Sequence, residues 1–267
     1  MPITVETPES VADVVGALGD GAVVLAGGTH VMPRINTEAH DVRALVSLRH
    51  AGLSGIEVTE REATIGAATT LARIGADDRL AFLRPAIESI ASPTIRNLAT
   101  AGGNLFVEQP YGDLAVALLA LDAQVDVAAP GDSATQPVAA VLADGLPAGH
   151  VVTAVRFALP GDGEWRYAKA MRRRMNSASI VTVAAVVRLD GGAVTSARIA
   201  LGGAGRRPVR AAAAEAALTG GPLDRARAEA AGAAAVDDAE PFTDAYASAW
   251  YRARVLPVHV RRALIGE

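Results

Sequence analysis

Apolar positions fall in short blocks separated by Gly, Pro, Asp and Thr, and the spacing inside each block sorts it into strand or helix. Ile3–Glu6 reads as a short strand. Thr7-Pro8-Glu9-Ser10 is a helix start, with Val11, Val14, Val15 and Leu18 at helical spacing behind it. Ala22–Leu25 is an uninterrupted apolar run, hence a buried strand, and Val42–Ser47 is another, so residues 3–50 predict a βαβ unit. Gly55–Val58 and Ala63–Ile65 predict strands, and short helices follow from Thr69 and over Arg84–Ala91. Leu114–Leu121 is too apolar for a surface helix and must be buried. Gln124–Ala128 predicts a strand, residues 135–138 a loop, Val138–Ala143 a short helix and Val151–Leu159 a strand. Pro160-Gly161-Asp162-Gly163 is the best linker in the chain. Beyond it, Glu164–Met171 and the β-branched Ser179–Leu189 read as strands. Asp190-Gly191-Gly192 then turns the chain into Val194–Leu201, a hairpin signature. Helices over Ala211–Leu218, Leu223–Ala235 and Ala245–Leu264 complete it. Strands followed by helices imply a sheet with a helical layer on one side. The expected class is α+β, in three parts: 1–52, 53–160 and 164–267.

Two stretches of small residues interrupt this pattern. Ala26-Gly27-Gly28-Thr29-His30 follows directly on a strand, the context in which backbone N–H groups meet a pyrophosphate. It lacks the three spaced glycines of the dinucleotide fingerprint. The second stretch, Thr100-Ala101-Gly102-Gly103-Asn104, is expected to use its glycines for positive φ and close approach. Successive N–H groups in such turns form a concavity suited to phosphate oxygens. Thr100 and Asn104 add polar side chains, and Asp113 follows just before the apolar run. Two readings stand on the residues alone: a pair of tight turns, or two loops gripping one diphosphate.

Composition narrows the chemistry. The 267 residues are 51% hydrophobic and carry a net charge of −4, which suits a globular protein and gives no reason to expect nucleic acid as a partner. No apolar run reaches the roughly 18 residues of a membrane-spanning helix. The start, MPITVETPES, has no signal-peptide pattern, so a cytoplasmic setting is expected. With no cysteine, the chain has no thiol nucleophile and no ligand set of its own for a cysteine-bound iron–sulfur cluster. His30, His40, His50, His150 and His259 are scattered without ligand spacing, so no metal site is expected. Lys169 is the only lysine in an arginine-rich chain, either a compact charge kept for a purpose or a chance survivor on the surface.

Eight segments, in order, resemble the flavin-binding subunits of the molybdenum hydroxylases, of carbon monoxide dehydrogenase and xanthine dehydrogenase type. They are LAGGTHVMP (25–33), TIGAATTLARI (64–74), TIRNLATAGGN (94–104), GDLAVALLALDAQV (112–125), YAKAMRRR (167–174), SIVTVAAVV (179–187), ALGGAGRRPVRA (200–211) and YRARVLPVHVRRAL (251–264). The resemblance implies the fold typified by vanillyl-alcohol oxidase and p-cresol methylhydroxylase, with FAD between the first two parts. It implies that Leu25, Ala26, Gly27, Gly28, Thr29, His30, Val31 and Met32 line the diphosphate and ribityl. It makes Thr100, Ala101, Gly102, Gly103 and Asn104 a second diphosphate loop, and it makes Asp113, Val152 and Lys169 cofactor-contacting positions. Many relatives carry Asp or Ser where His30 stands. Thr29 separates His30 from the glycine pair, and the flavin is expected to be non-covalent.

The resemblance further implies an electron relay with no catalytic residue of its own. A small partner subunit would carry [2Fe–2S] clusters and a large one the molybdenum cofactor, in a dimer of heterotrimers, with FAD passing electrons to an external acceptor. Lys169, or the Arg172–Arg174 cluster, would stabilise the reduced flavin or the diphosphate; the cluster could instead meet a partner or solvent. Two alternatives remain: a stand-alone flavin reductase or oxidase on the same fold, and a non-enzymatic nucleotide-binding assembly subunit.

Overall fold

A computed structural model describes residues 3–37, 41–173 and 177–267, so His40 and Arg174 lie outside the described residues. In chain order the strands are β1 (Thr4–Glu6), β2 (Ala22–Leu25), β3 (Ala44–Ser47), β4 (Ile56–Val58), β5 (Glu62–Gly66), β6 (Gln124–Ala129), β7 (Asp132–Pro137), β8 (Val151–Ala158), β9 (Trp165–Met171), β10 (Ser179–Asp190), β11 (Ala193–Gly202) and β12 (Val209–Arg210). The helices are α1 (Val11–Ala17), α2 (Val31–Thr37), α3 (Leu71–Ala76), α4 (Arg84–Glu88), α5 (Pro93–Arg96), α6 (Ala101–Leu105), α7 (Asp113–Ala120), α8 (Val138–Asp144), α9 (Ala212–Leu218), α10 (Arg225–Ala234) and α11 (Ala249–Ile265). The chain is thus a mixed helix-and-sheet protein. By compactness it forms two units: one of Met1–Ala81, Pro93–Val107 and Ala123–Ala158, the other of Phe82–Ser92, Glu108–Asp122 and Leu159–Glu267.

The first unit holds two sheets. β1, β3 and β2 form a parallel three-stranded sheet with β3 central, the product of the predicted βαβ unit. Ser10 caps α1 by accepting the Asp13 N–H, and Val14 buries on its inner face. The second sheet, β4-β5-β8-β6-β7, is antiparallel. Its edge strand β7 covers Asp132–Pro137, replacing the loop that the sequence predicts from Thr135. Five of its six residues are exposed and polar positions interrupt it, so no apolar alternation marks it. Val14, Val46, Leu48, Leu53 and Val151 join both sheets in one core.

The second unit is built on the antiparallel sheet β12-β11-β10-β9. The Asp190-Gly191-Gly192 turn joins β10 to β11 as its residues predict, both glycines having positive φ. On β10, Val181, Val183, Ala185 and Val187 face Leu218, Leu256 and Val260 of the helical layer. The C-terminal helices form the expected layer on that side, and the other face is covered as well. The alternate positions point the other way, and Thr182 there bonds to Asp113 at the start of α7. An earlier stretch of chain covers the second face, which no local pattern announces. All eight residues of α7 are buried, as its composition requires.

Candidate functional site

In the first unit the structure brings the two glycine loops together. Residues 26–30 run from the end of β2 into α2. The loop amides of Gly27, Gly28 and Thr29 find no protein acceptor among the described residues. Three successive donors at a strand end are the raw material of an anion-binding concavity. Gly28 has φ +70°, a left-handed conformation that only glycine takes without strain. An ideal Cβ on Gly27 would lie 1.9 Å from the carbonyl oxygen of Leu98, so this glycine lets the first loop touch the segment leading into the second.

The second loop departs from expectation. Gly102 and Gly103 are not in positive-φ turns; they sit in the short helix α6. Thr100 caps that helix, its hydroxyl accepting the Gly103 N–H at 3.2 Å. The Ala101 and Gly102 amides donate to the carbonyls of Thr69 and Ala67, both at 2.9 Å. The donors foreseen for a ligand are therefore spent on holding the loop. What α6 offers outward is shape. A Cβ on Gly102 would crowd Ala67 at 2.9 Å, whereas one on Gly103 would meet Thr100 Oγ1 at 2.9 Å and then only Ala26 Cβ, at 4.0 Å. Gly103 thus stands beside Ala26, and the two loops form one wall of small residues.

Val152 is buried in β8 opposite Val127. Its neighbour Thr153 accepts the Ala67 N–H at 2.9 Å, and Ala67 in turn accepts from Gly102. The central strand of the five-stranded sheet is thereby tied to α6. Ala67 and Thr69, whose carbonyls fix the second loop, carry no motif that would have singled them out.

Asp113 and Lys169 lie in the second unit and bind each other, Nζ to Oδ2 at 2.8 Å, with each side chain only 3% exposed. Lys169 also donates to the Ser89 carbonyl at 2.8 Å. The other carboxylate oxygen accepts from Ser179 Oγ at 2.8 Å and Thr182 Oγ1 at 2.6 Å. A buried charge is tolerable only when paired and hydrogen-bonded, and this one is. The lone lysine is therefore no surface survivor. Tyr167 is buried nearby, its hydroxyl 2.9 Å from Ser89 Oγ. Burial, and then the Asp113 charge, push its phenol well above the ordinary 10, so it stays protonated. Trp165 packs edge-on against Phe82 with centroids 5.4 Å apart. Arg172 donates to the Ala245 carbonyl at 3.1 Å, and Arg173 is exposed.

Residues 1–160 match the family described as FAD binding domain in molybdopterin dehydrogenase, and residues 166–266 the CO dehydrogenase flavoprotein C-terminal domain. Over 96% of its length the chain is 30% identical to the carbon monoxide dehydrogenase medium chain of Afipia carboxidovorans, covering 93% of that protein. It is likewise 30% identical over 96% of its length to the xanthine dehydrogenase FAD-binding subunit of Escherichia coli O157:H7, covering 92% of it. Among solved structures, carbon monoxide dehydrogenase from Hydrogenophaga pseudoflava superposes with a TM-score of 0.93 at 28% identity, covering 99% of this chain and 96% of that one. Quinoline 2-oxidoreductase from Pseudomonas putida 86 superposes with a TM-score of 0.91 at 25% identity, covering 100% and 96%.

Proposed function

The chain belongs to the family of FAD-binding subunits of molybdopterin dehydrogenases, and on that premise we propose that it carries electrons from the iron–sulfur clusters of a partner subunit, through FAD, to an external acceptor. The flavin supplies the redox chemistry when bound; the protein's work is to hold and orient it. The amides of Gly27, Gly28 and Thr29 hold the diphosphate, with Gly28 in the left-handed turn that this loop needs, and the small residues Ala26 and Gly103 keep the wall beside it low. Leu25, Ala26, His30, Val31 and Met32 flank it on one side, and Thr100, Ala101, Gly102 and Asn104 shape the other. Asp113, Val152 and Lys169 enter as cofactor-contacting positions by resemblance alone. The layout is that of the vanillyl-alcohol oxidase and p-cresol methylhydroxylase fold, residues 1–52 and 53–160 each bringing one loop, with 164–267 as the C-terminal domain. The flavin is non-covalent.

Relatives are named as medium chains or FAD subunits of larger enzymes. We extend this to a small iron–sulfur subunit and a large molybdopterin subunit as partners, in a cytoplasmic dimer of heterotrimers. The absence of cysteine agrees, because the clusters must then be held elsewhere. Among the described residues no helix is long and apolar enough to cross a membrane.

The observation that carries this reading is the close approach of Gly27 to Leu98, in the segment leading into the second loop, beside three unspent amides. The test is the visible spectrum of the purified chain. We expect the two bands of an oxidised flavin, and FAD released by acid precipitation in about equimolar yield. Gly27→Ala, which drives a methyl into the Leu98 carbonyl, is expected to lose the flavin. A colourless protein that free FAD cannot reconstitute would overturn the proposal.

A further inference from the structure

We propose that the solvent face of α11 docks a second protein, one that presents carboxylates around an apolar recess: a neighbouring subunit of the assembly inferred above, on which this step rests. α11 runs for 17 residues and buries Arg252, Leu256, Val260, Ala263 and Leu264. Trp250, Tyr251, Arg254, Val258 and Arg262 fall three or four residues apart on the opposite face. Trp250 is 70% exposed, the most open of the large apolar side chains among the described residues. Tyr251 and Val258 are 44% and 40% exposed. The Arg254 guanidinium lies over the Trp250 ring, 6.0 Å from its centroid.

The charge on this face is unanswered. Elsewhere in the same unit some arginines meet carboxylates, as Arg252 meets Asp244, Arg261 Glu267, Arg225 Glu229 and Arg210 Glu215, and others, such as Arg166, Arg172 and Arg227, donate to backbone carbonyls. Among the described residues no carboxylate pairs with Arg254 or Arg262. Arg254 and Arg262 thus put a basic stripe on this face in a chain of net −4. Trp, Tyr and Arg are the residues over-represented where protein interfaces concentrate their binding energy. Here they stand on a helix anchored from behind, so little order is lost on docking.

Charge also selects the occupant. A second copy meeting this face across a two-fold axis would set arginines against arginines, with no acid to neutralise them. A lipid surface needs a broad apolar face to bury, and α11 has turned its aliphatic stripe into the core, leaving one valine outside. An acidic protein surface with a recess for the indole answers both the charge and the aromatic pair.

The experiment places a photo-crosslinking benzoyl-phenylalanine at Tyr251 in the tagged chain and isolates the intact complex from its producing cells. The expected product joins α11 to an acidic segment of another subunit of that complex. The surface variant Trp250→Ala/Arg254→Glu is expected to retain that subunit about ten-fold less well, while FAD per chain is unchanged. Crosslinks only to another copy of this chain, or full retention of the subunit by the variant, would overturn the proposal. So would variant-sensitive sedimentation with phosphatidylglycerol vesicles. Wild-type chain without FAD would strike at the flavin reading instead, and the two failures are separable.

Discussion

Lys169 has a structural role and a proposed role toward the flavin, and different measurements separate the two. Its ammonium is matched by Asp113 and by the Ser89 carbonyl, and the Asp113 carboxylate is completed by Ser179 and Thr182. Removing one member of a buried ion pair strands the other in a poor dielectric. Lys169→Met is therefore expected to destabilise the fold by about 3–5 kcal/mol, read as a lower urea midpoint at unchanged slope. Lys169→Met with Asp113→Asn should recover part of that loss, because no charge is then left buried. If the lysine also tunes the flavin, the double variant stays low in FAD, or negative in flavin potential, after stability returns. Full flavin occupancy and an unchanged potential in the double variant would leave Lys169 a purely structural residue. The lone lysine was conspicuous in the sequence, but its partners were not: Ser179 and Thr182 lie far along the chain from Asp113, and only β10 packing on α7 brings them in.

At the scale of elements, α11 is held by its apolar stripe and by one buried guanidinium. Arg252 donates to the carbonyls of Ser179, Ile180 and Gly203, and to Asp244 at 2.7 Å. Burial raises the Asp244 pKa, but the N–H groups of Ala247 and Tyr246 and the Arg252 charge outweigh it and hold the carboxyl below its ordinary 3.8. A folded-state pKa below the unfolded one gives stability that is present above the unfolded value and is lost as pH falls through the folded one. Asp244→Asn should cost roughly 1.5–3 kcal/mol at neutral pH. Its stability should also fall less steeply than wild type below about pH 4. Parallel acid limbs in the two proteins would remove Asp244 from that role. α11 was legible because its apolar spacing runs on through Pro257. α6 was not, because Gly-Gly reads as a turn and glycine weakens a helix by about 1 kcal/mol. What overrides that preference is tertiary: the Ala67 and Thr69 carbonyls capture the first amides and Thr100 captures the next. α2 went unread because Pro33 interrupts its seven residues and none of them is buried.

Among the described residues one core joins the two sheets of the first unit and another lies beneath the helices of the second. Both tryptophans, Trp165 and Trp250, belong to the second unit, so intrinsic fluorescence follows that unit, while the flavin is proposed to be held by the loops of the first. The first unit's two sheets are short-stranded, and the amides of Gly27, Gly28 and Thr29 find no acceptor among the described residues. A ligand that binds only the folded state must then add to stability by mass action. At a hundred times its Kd, FAD is expected to contribute about 2.7 kcal/mol, seen as a raised urea midpoint by circular dichroism and rising with the logarithm of FAD concentration. Adenosine monophosphate lacks the diphosphate bridge that the Gly27–Thr29 amides would grip, so it should give a markedly smaller shift at equal concentration. Equal shifts from the two ligands would mean that the loops recognise something other than the bridge. No shift from FAD would mean that the wall of small residues is packing and nothing more.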